Sequence, residues 1–439
     1  MRLFSGPFRT EAQRRDGRIL PVLQVSWPSG TERYAVAGYP SSMGAFSPRV
    51  LSWGTIKRSV SIRSSGLGAV DTSVDLADTD RHIAGLVTGS YGRSLRRSAC
   101  KIMLASPNVP EDDWHVVFAG IVEGHSFPAP LRCRLTLRTD DRALRKDLVL
   151  PIVNELDYPN ADSSAQDEII PVLYGKLSSQ GMSSKGMVPL LATDTTNQYH
   201  TLCVGWAYSV DRVYRSDGTL ISSGNYTVAH PIRAGYLCTE VQITSGTPGT
   251  GLLADVQGYG SVGDGTGALI SNPAQQMRHF LRNFVYTRYQ RGVWDAAHSS
   301  APIAWRTWQA CAEWMTRRSL EGSKRISTTV SGLDMLTEWA ESWGVKVYWT
   351  RDGKLAARPL NLTKPLRYKD YRWLRWETAD SDGLDIRYDS ERAANRVRVE
   401  FVYSEAEGRY YRKLTCLDPS VDDDGVESIQ MPWGPGRVT

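Results

Sequence analysis

From the N-terminus to about residue 150, apolar and polar residues alternate in short runs, the period expected of half-buried β-strands. Leu20–Trp27 (LPVLQVSW) is an apolar run that stops at Pro-Ser-Gly, a strand followed by a turn. Val50–Ile62 and Val70–Leu76 continue the alternation, and Ala77-Asp78-Thr79-Asp80 predicts a turn. Lys101–Ala105 is expected to pair with His115–Glu123 through the loop Ser106–Asp113. Arg132–Arg138 (RCRLTLR) alternates strictly, which predicts arginines on one face and apolar side chains on the other.

A polar stretch, Tyr158–Asp167, marks the first expected domain boundary. After it come short runs at regular spacing: Ile169–Leu177, Val188–Leu191, Tyr199–Tyr208, Val210–Tyr214, Thr219–Ile221, Tyr226–Val228, Leu237–Ile243 and Leu253–Gln257. That density predicts a small sandwich or barrel, with a hairpin turn at Ser216-Asp217-Gly218. The glycine-rich Gly258–Gly267 then reads as a flexible connection.

Beyond it the period changes to that of helices. Asn272 is a natural N-cap and Pro273 suits the first turn, and Met277, Phe280, Leu281 and Phe284 form one stripe. Ala301–Arg318 predicts a second helix, with Trp305, Trp308, Ala312 and Met315 on one face. A third is expected from the cap Ser331, through Leu333, Leu336, Ala340 and Trp343, to Gly344. Val345–Thr350 and Lys354–Arg358 predict a hairpin across Arg351-Asp352-Gly353, and Arg396–Tyr403 a strand followed by Tyr410–Leu417. Val421–Thr439 reads as an acidic tail without a closing element.

Composition narrows the function classes. A net charge of +5 from 52 basic and 47 acidic residues is too weak, over 439 residues, to argue for nucleic-acid binding. Fourteen Trp and 20 Tyr against 8 Phe favour half-buried and interface positions, a hint of an assembling protein. The charged N-terminus does not have the form of a signal peptide, and no run approaches the ~18 apolar residues of a membrane span. Synthesis in the cytoplasm is therefore expected. Cys100, Cys133, Cys203, Cys238, Cys311 and Cys416 are dispersed, as reduced small hydrophobes usually are.

Candidate chemistry is sparse. No GxSxG, phosphate loop or HExxH occurs. His82, His115, His125, His200, His230, His279 and His298 never adopt ligand spacing, and His115 alternates with the apolar residues of a strand. Glu111-Asp112-Asp113 and Asp422-Asp423-Asp424-Gly425 read as solvated acidic turns, the second without calcium-loop spacing. Gly258–Gly267 follows a strand but has no phosphate-reaching lysine. Two arginine clusters, Arg93, Arg96, Arg97 and Arg132, Arg134, Arg138, read as partner-facing or plain surface charge. No catalytic, cofactor-binding or metal-binding residue is expected, and the chain is not expected to be an enzyme.

Several motifs, in order, resemble phage tail-tip and baseplate hub proteins. Ile170-Pro171-Val172-Leu173-Tyr174-Gly175 with Val188-Pro189 resembles the opening of an inserted β-domain. Asp194-Thr195-Thr196-Asn197, Val210–Tyr214, Asp217-Gly218, Asn225–Val228 and Ala254–Gly258 are similar to the rest of that domain. Asn272-Pro273-Ala274, then Ser331–Leu336 with Gly344 and Asp352–Leu355, and Asn395–Val399 resemble the segments that follow. The resemblance spans roughly residues 50 to 420.

It implies an α+β, predominantly β fold: tube-like β-barrel domains with an inserted small β-domain and a few helices. The expected divisions are a first barrel over 1–157, an inserted domain over 169–257, a linker over 258–271, helices plus a second barrel over 272–420, and a tail over 421–439. It further implies a homotrimer at the virion tail tip, joining the hexameric tail tube and distal tail protein to a threefold tip and lining the DNA-ejection channel. Implied partners are the distal tail protein, the tape measure protein and other tail-tip or fibre proteins. Phage DNA would pass through the lumen without specific recognition. Alternative expectations are a hexameric distal tail ring protein and a tail-associated wall-degrading enzyme.

Overall fold

Alternation in the N-terminal part becomes an antiparallel sheet of seven strands: β1 (Leu20–Trp27), β2 (Gly30–Ala35), β3 (Val50–Trp53), β4 (Asp71–Ala77), β5 (Ala99–Ala105), β6 (His115–Ala129) and β7 (Arg132–Arg138). The computed structural model describes residues 6–14, 19–27, 30–36, 46–56, 67, 69–88, 97–178, 188–246, 249, 251–260, 267–286 and 302–359, with the backbone of 396–404, 409–417 and 436–438. The sheet order is β2-β1-β5-β6-β7-β4-β3. One stretch reaches both edges. Ser47 exchanges backbone bonds with β2 (Ala35 N to Ser47 O, 3.0 Å; Ser47 N to Arg33 O, 2.9 Å), and Val50–Trp53 then pairs with β4. The sheet is accordingly curled as a half-barrel.

Its concave filling follows from the period of two. Leu23, Val25 and Trp27 of β1 meet Val74 and Leu76 of β4 and Cys133, Leu135 and Leu137 of β7 in one buried cluster. The arginines of β7 fall on the opposite face, as its alternation predicts. The opposite face of β1 is also covered, because Val22 packs with Phe8, Ala35, Met103 and Trp114. Phe8 comes from α1 (Gly6–Gln13), and a second short helix, α2 (His82–Thr88), follows β4. Neither helix is expected from sequence. Asp78 starts α2 by accepting from Ile83 N (2.8 Å) and Ala84 N (3.0 Å). The strand expected over Val50–Ile62 ends at Trp53, where Gly54 N donates to Ser73 O; residues 57–62 lie outside the described residues.

After α3 (Arg142–Arg145), residues 146–171 run as successive turns. Within the polar Tyr158–Asp167 stretch, Asp162 N bonds Ala192 O, Thr195 N bonds Asn160 O, and Tyr158 is buried.

Two antiparallel sheets follow. One holds β9 (Lys176–Leu177), β10 (Val188–Pro189), β13 (Ala207–Tyr214), β14 (Leu220–Ile221) and β18 (Leu253–Tyr259). The other holds β11 (Leu191–Asp194), β12 (Tyr199–Val204), β15 (Tyr226–Ala229), β16 (Ile232–Arg233) and β17 (Tyr236–Ile243). Leu202, Cys203, Val241 and Ile243 of one sheet share a buried core with Val188, Val213, Ala254 and Val256 of the other, which makes a sandwich. The single strand expected over Tyr199–Tyr208 is two strands. The chain changes sheets at Gly205, whose φ of +81° and crowding against the Tyr259 ring both require glycine.

β8 (Val172–Tyr174) pairs with β19 (Lys324–Ile326). The helices are α4 (Pro273–Phe280), continued by a π-turn over Leu281–Tyr286, α5 (Trp305–Thr316) and α6 (Gly332–Ser342). Asn272 caps α4, accepting from Ala274 N (3.0 Å) and Gln275 N (3.4 Å), and Ser331 caps α6 by accepting from Asp334 N (3.1 Å). The α4 stripe is buried throughout. That of α5 is not: the helix begins at Trp305, which is half exposed, while Trp308, Ala312 and Met315 are buried. On α6 the fully buried positions include Met335 and Trp339, beside Leu336 and Ala340; Leu333 and Trp343 are half-buried. Trp339, Tyr174 and Phe280 pack together, with Tyr174–Trp339 ring centroids 5.4 Å apart.

The predicted hairpin forms from β20 (Val345–Trp349) and β21 (Leu355–Pro359), with Gly353 at φ +73°. β22 (Arg396–Ser404) pairs with β23 (Arg409–Leu417) as expected. The tail does contain a closing element: β24 (Gly436–Val438) adds to β22 through Val399↔Val438. The chain forms two compact units, Met1–Arg145 with Pro302–Trp305 and Val347–Ala356, and Lys146–Ala301 with Arg306–Lys346 and Ala357–Thr439. The fold is α+β and predominantly β.

Candidate functional site

Asp75 on β4 is a densely bonded charged group of the first unit. Its pairing register sets it opposite Arg134 of β7 and Ser52 of β3. Its carboxylate accepts from Arg134 Nε (2.7 Å), from Arg132 Nη2 and from Ser52 Oγ (2.8 Å), and is almost wholly buried. The Arg134 hydrogen bond, with those of Arg132 and Ser52, holds the carboxyl well below the usual carboxylate range. Two arginines of the second cluster are thus strand fasteners.

Its third member, Arg138, meets Arg97 of the first cluster elsewhere. Arg97 precedes β5, Arg138 ends β7 opposite Ile121 of β6, and Arg142 and Arg145 lie on α3. These four arginines, with Glu123 and Asp141, line a cavity of about 310 Å³. Asp141, buried, accepts from Arg138 Nη2 (3.1 Å) and Arg145 Nε (2.6 Å). Asp140 is bound by Nε and Nη2 of Arg142, both at 2.7 Å, and that hydrogen bonding lowers its pKa. Arg93 and Arg96 lie outside the described residues.

The other candidate groups have local partners. Cys100, Cys133, Cys203, Cys238 and Cys311 are buried free thiols, pushed up to about 12 by desolvation. The Cys416 side chain and His298 lie outside the described residues. His115 stacks on Phe8 and hydrogen-bonds Arg351 Nη1 (2.7 Å). His82 pairs with Glu32, and His230 stacks on Trp206 with centroids 4.1 Å apart. Burial lowers His200 to about 4 and, with Arg282 and Arg278 nearby, lowers His279 to about 3. Glu111 is not simply solvated; it forms a two-pronged pair with Arg33 (3.0 and 2.5 Å). Asp422–Gly425 and residues 261–266 of the glycine-rich stretch lie outside the described residues.

Among the described residues, no group of three or more His, Cys, Asp or Glu is placed to hold a metal ion, and no helix is long and apolar enough to cross a membrane. Among the described residues, apolar side chains reach solvent at several positions, two groups of which lie close in sequence. Phe127 and Leu131 sit at the β6–β7 tip, and Val149, Ile152 and Leu156 line the turns after α3, with Val149 and Leu156 at 84% and 91% exposure. No sequence signal marks the latter as exposed, because an apolar residue in a loop has no period to orient it.

No protein-family model matches the chain, and no curated protein matches it. Among solved structures, a chain from the virion of a native gene transfer agent particle is similar over 57% of this chain and 84% of that chain, at 12% identity and a TM-score of 0.25. A TM-score of that size carries no argument, and the functional reading rests on the residues of this chain.

Proposed function

We propose that the chain is a virion structural protein, the hub subunit of a phage-type tail tip. Three copies form a ring that joins a hexameric tail tube and distal tail protein to a threefold tip, with DNA passing through the lumen. The tape measure protein and outer tip or fibre proteins are its further partners. The carrying observation is that the hub-like motifs run in order through the sandwich, the helix caps and the late strand. Pro171–Gly175 enters β8 just before the sandwich, and Asp217-Gly218 makes its hairpin. Ala254–Gly258 lies in its last strand, Asn272 and Ser331 cap helices, and Arg396–Val399 opens β22. The exposed Val149, Ile152 and Leu156 suit subunit contacts, since exposed apolar side chains can be covered by association. In this reading residues 169–257 are a peripheral insertion between barrel-forming segments.

Gold-labelled antibody against the chain, applied to purified particles carrying it, tests the placement. Label confined to one end of the tail is expected. Label along the tube, or on no particle, contradicts the hub.

A further inference from the structure

We propose that the cavity ringed by Arg97, Arg138, Arg142 and Arg145 is a phosphate-binding site. The inference is independent of the virion reading.

The lining itself carries four arginines against the carboxylates of Glu123 and Asp141, and Asp140 on Arg142 and Asp71 beside Arg138 balance the remaining two charges from outside it. Donors are left over. Asp141 engages Arg145 only through Nε and Arg138 only through Nη2, and Asp140 takes Nε and Nη2 of Arg142. The buried Nε of Arg138 has no hydrogen-bond partner among the described residues; its nearest carboxylate oxygen, on Asp71, is 3.8 Å away. The Arg97 guanidinium makes no ion pair among the described residues. A guanidinium carries five N–H donors, so most of the donor capacity around the cavity is unspent.

Geometry favours phosphate over carboxylate. A carboxylate is planar and one arginine fork satisfies it. Here donors come from three separate elements, the turn before β5, the end of β7 and α3, and so approach from different directions. A tetrahedral anion with three or four acceptor oxygens uses that arrangement. Ile121 and Val122 line the cavity between the charged groups, and apolar lining strengthens hydrogen bonds to the bound anion. The phosphate can be a free ion or one unit of a nucleic-acid backbone, whose contacts carry no sequence information.

The test uses the full-length chain, with inorganic phosphate exchanged for chloride at constant ionic strength and binding read by calorimetry. One site per chain is expected, with Kd on the order of 1 mM or tighter. Arg97→Gln and Arg145→Gln each weaken binding by about tenfold, as loss of a charge-assisted hydrogen bond should. Arg9→Gln, which removes the same charge from an exposed position on α1, leaves it unchanged. Absence of saturable phosphate binding overturns the proposal, as does equal weakening by Arg9→Gln and Arg97→Gln. A second arm follows the anisotropy of a labelled single strand of about 12 nucleotides. Strand binding that phosphate competes away and Arg97→Gln weakens assigns the site to a backbone phosphate. Phosphate binding without strand binding assigns it to the free ion.

Discussion

Replacing Asp75 by Asn isolates the value of one buried carboxylate. Asn preserves the shape and an acceptor oxygen but removes the charge that Arg132 and Arg134 share across β4 and β7. Breaking a fully buried pair costs about 3–5 kcal/mol, and an exposed pair is worth about 0.2–1 kcal/mol. The carboxylate is 5% exposed and its partners are 38% and 45% exposed, which places this network between those limits. Water reaches the guanidiniums freely once the charge is gone, so the loss should be about 2 kcal/mol. Urea unfolding of the full chain at pH 7, followed through the unit that contains the sheet, measures it. The pH dependence supplies a second reading. Asp75 titrates lower folded than unfolded, so its stabilisation is complete above the unfolded value near 3.9 and fades as pH falls through that value towards the folded one. Each pH unit within that window costs about 1.4 kcal/mol in the wild type and nothing from this group in Asp75→Asn. A variant within about 0.5 kcal/mol of wild type at pH 7, or parallel acid profiles below pH 4, would refute the reasoning.

Other consequences are as specific. Asn272→Ala removes two cap bonds and the Nδ2 bonds to Ala312 O and Thr316 Oγ1, and should cost about 2–3 kcal/mol in urea unfolding; a loss under about 0.5 kcal/mol contradicts the cap. His279 is held neutral down to about pH 3, so its contribution is full above the unfolded value near 6.5 and declines as pH falls towards 3. His279→Gln should therefore flatten the stability profile between pH 6.5 and 3, and an unchanged slope removes His279 as its source. Val149→Asp with Leu156→Asp should abolish self-association in sedimentation while leaving thermal unfolding of the dissociated chain within about 0.5 kcal/mol of wild type. Intact association would show that this apolar turn is no interface.

Much of the fold was legible because its signals are local. The alternation of Arg132–Arg138 dictates which face is buried, and Asn272-Pro273 and Ser331 announce helices whose caps form as written. What escaped was set by distant parts of the chain. Tyr199–Tyr208 looks continuous because the break at Gly205 is enforced by Tyr259, over fifty residues later. Trp305 fits the α5 stripe in spacing, yet it begins the helix, where a side chain has no preceding turn beneath it. The arginine cavity was invisible for the same reason. Arg97 and Arg138 belonged to different sequence clusters, and only the β5–β6–β7 register brings them together.

The central claim is threefold assembly, and the rotational symmetry of the assembled chain tests it most directly. Electron-microscopic averaging of the purified assembly or of the tail tip, without imposed symmetry, should show three copies of the 48.9 kDa chain around one axis. A ring of six copies would contradict the hub and make the chain a distal tail ring protein.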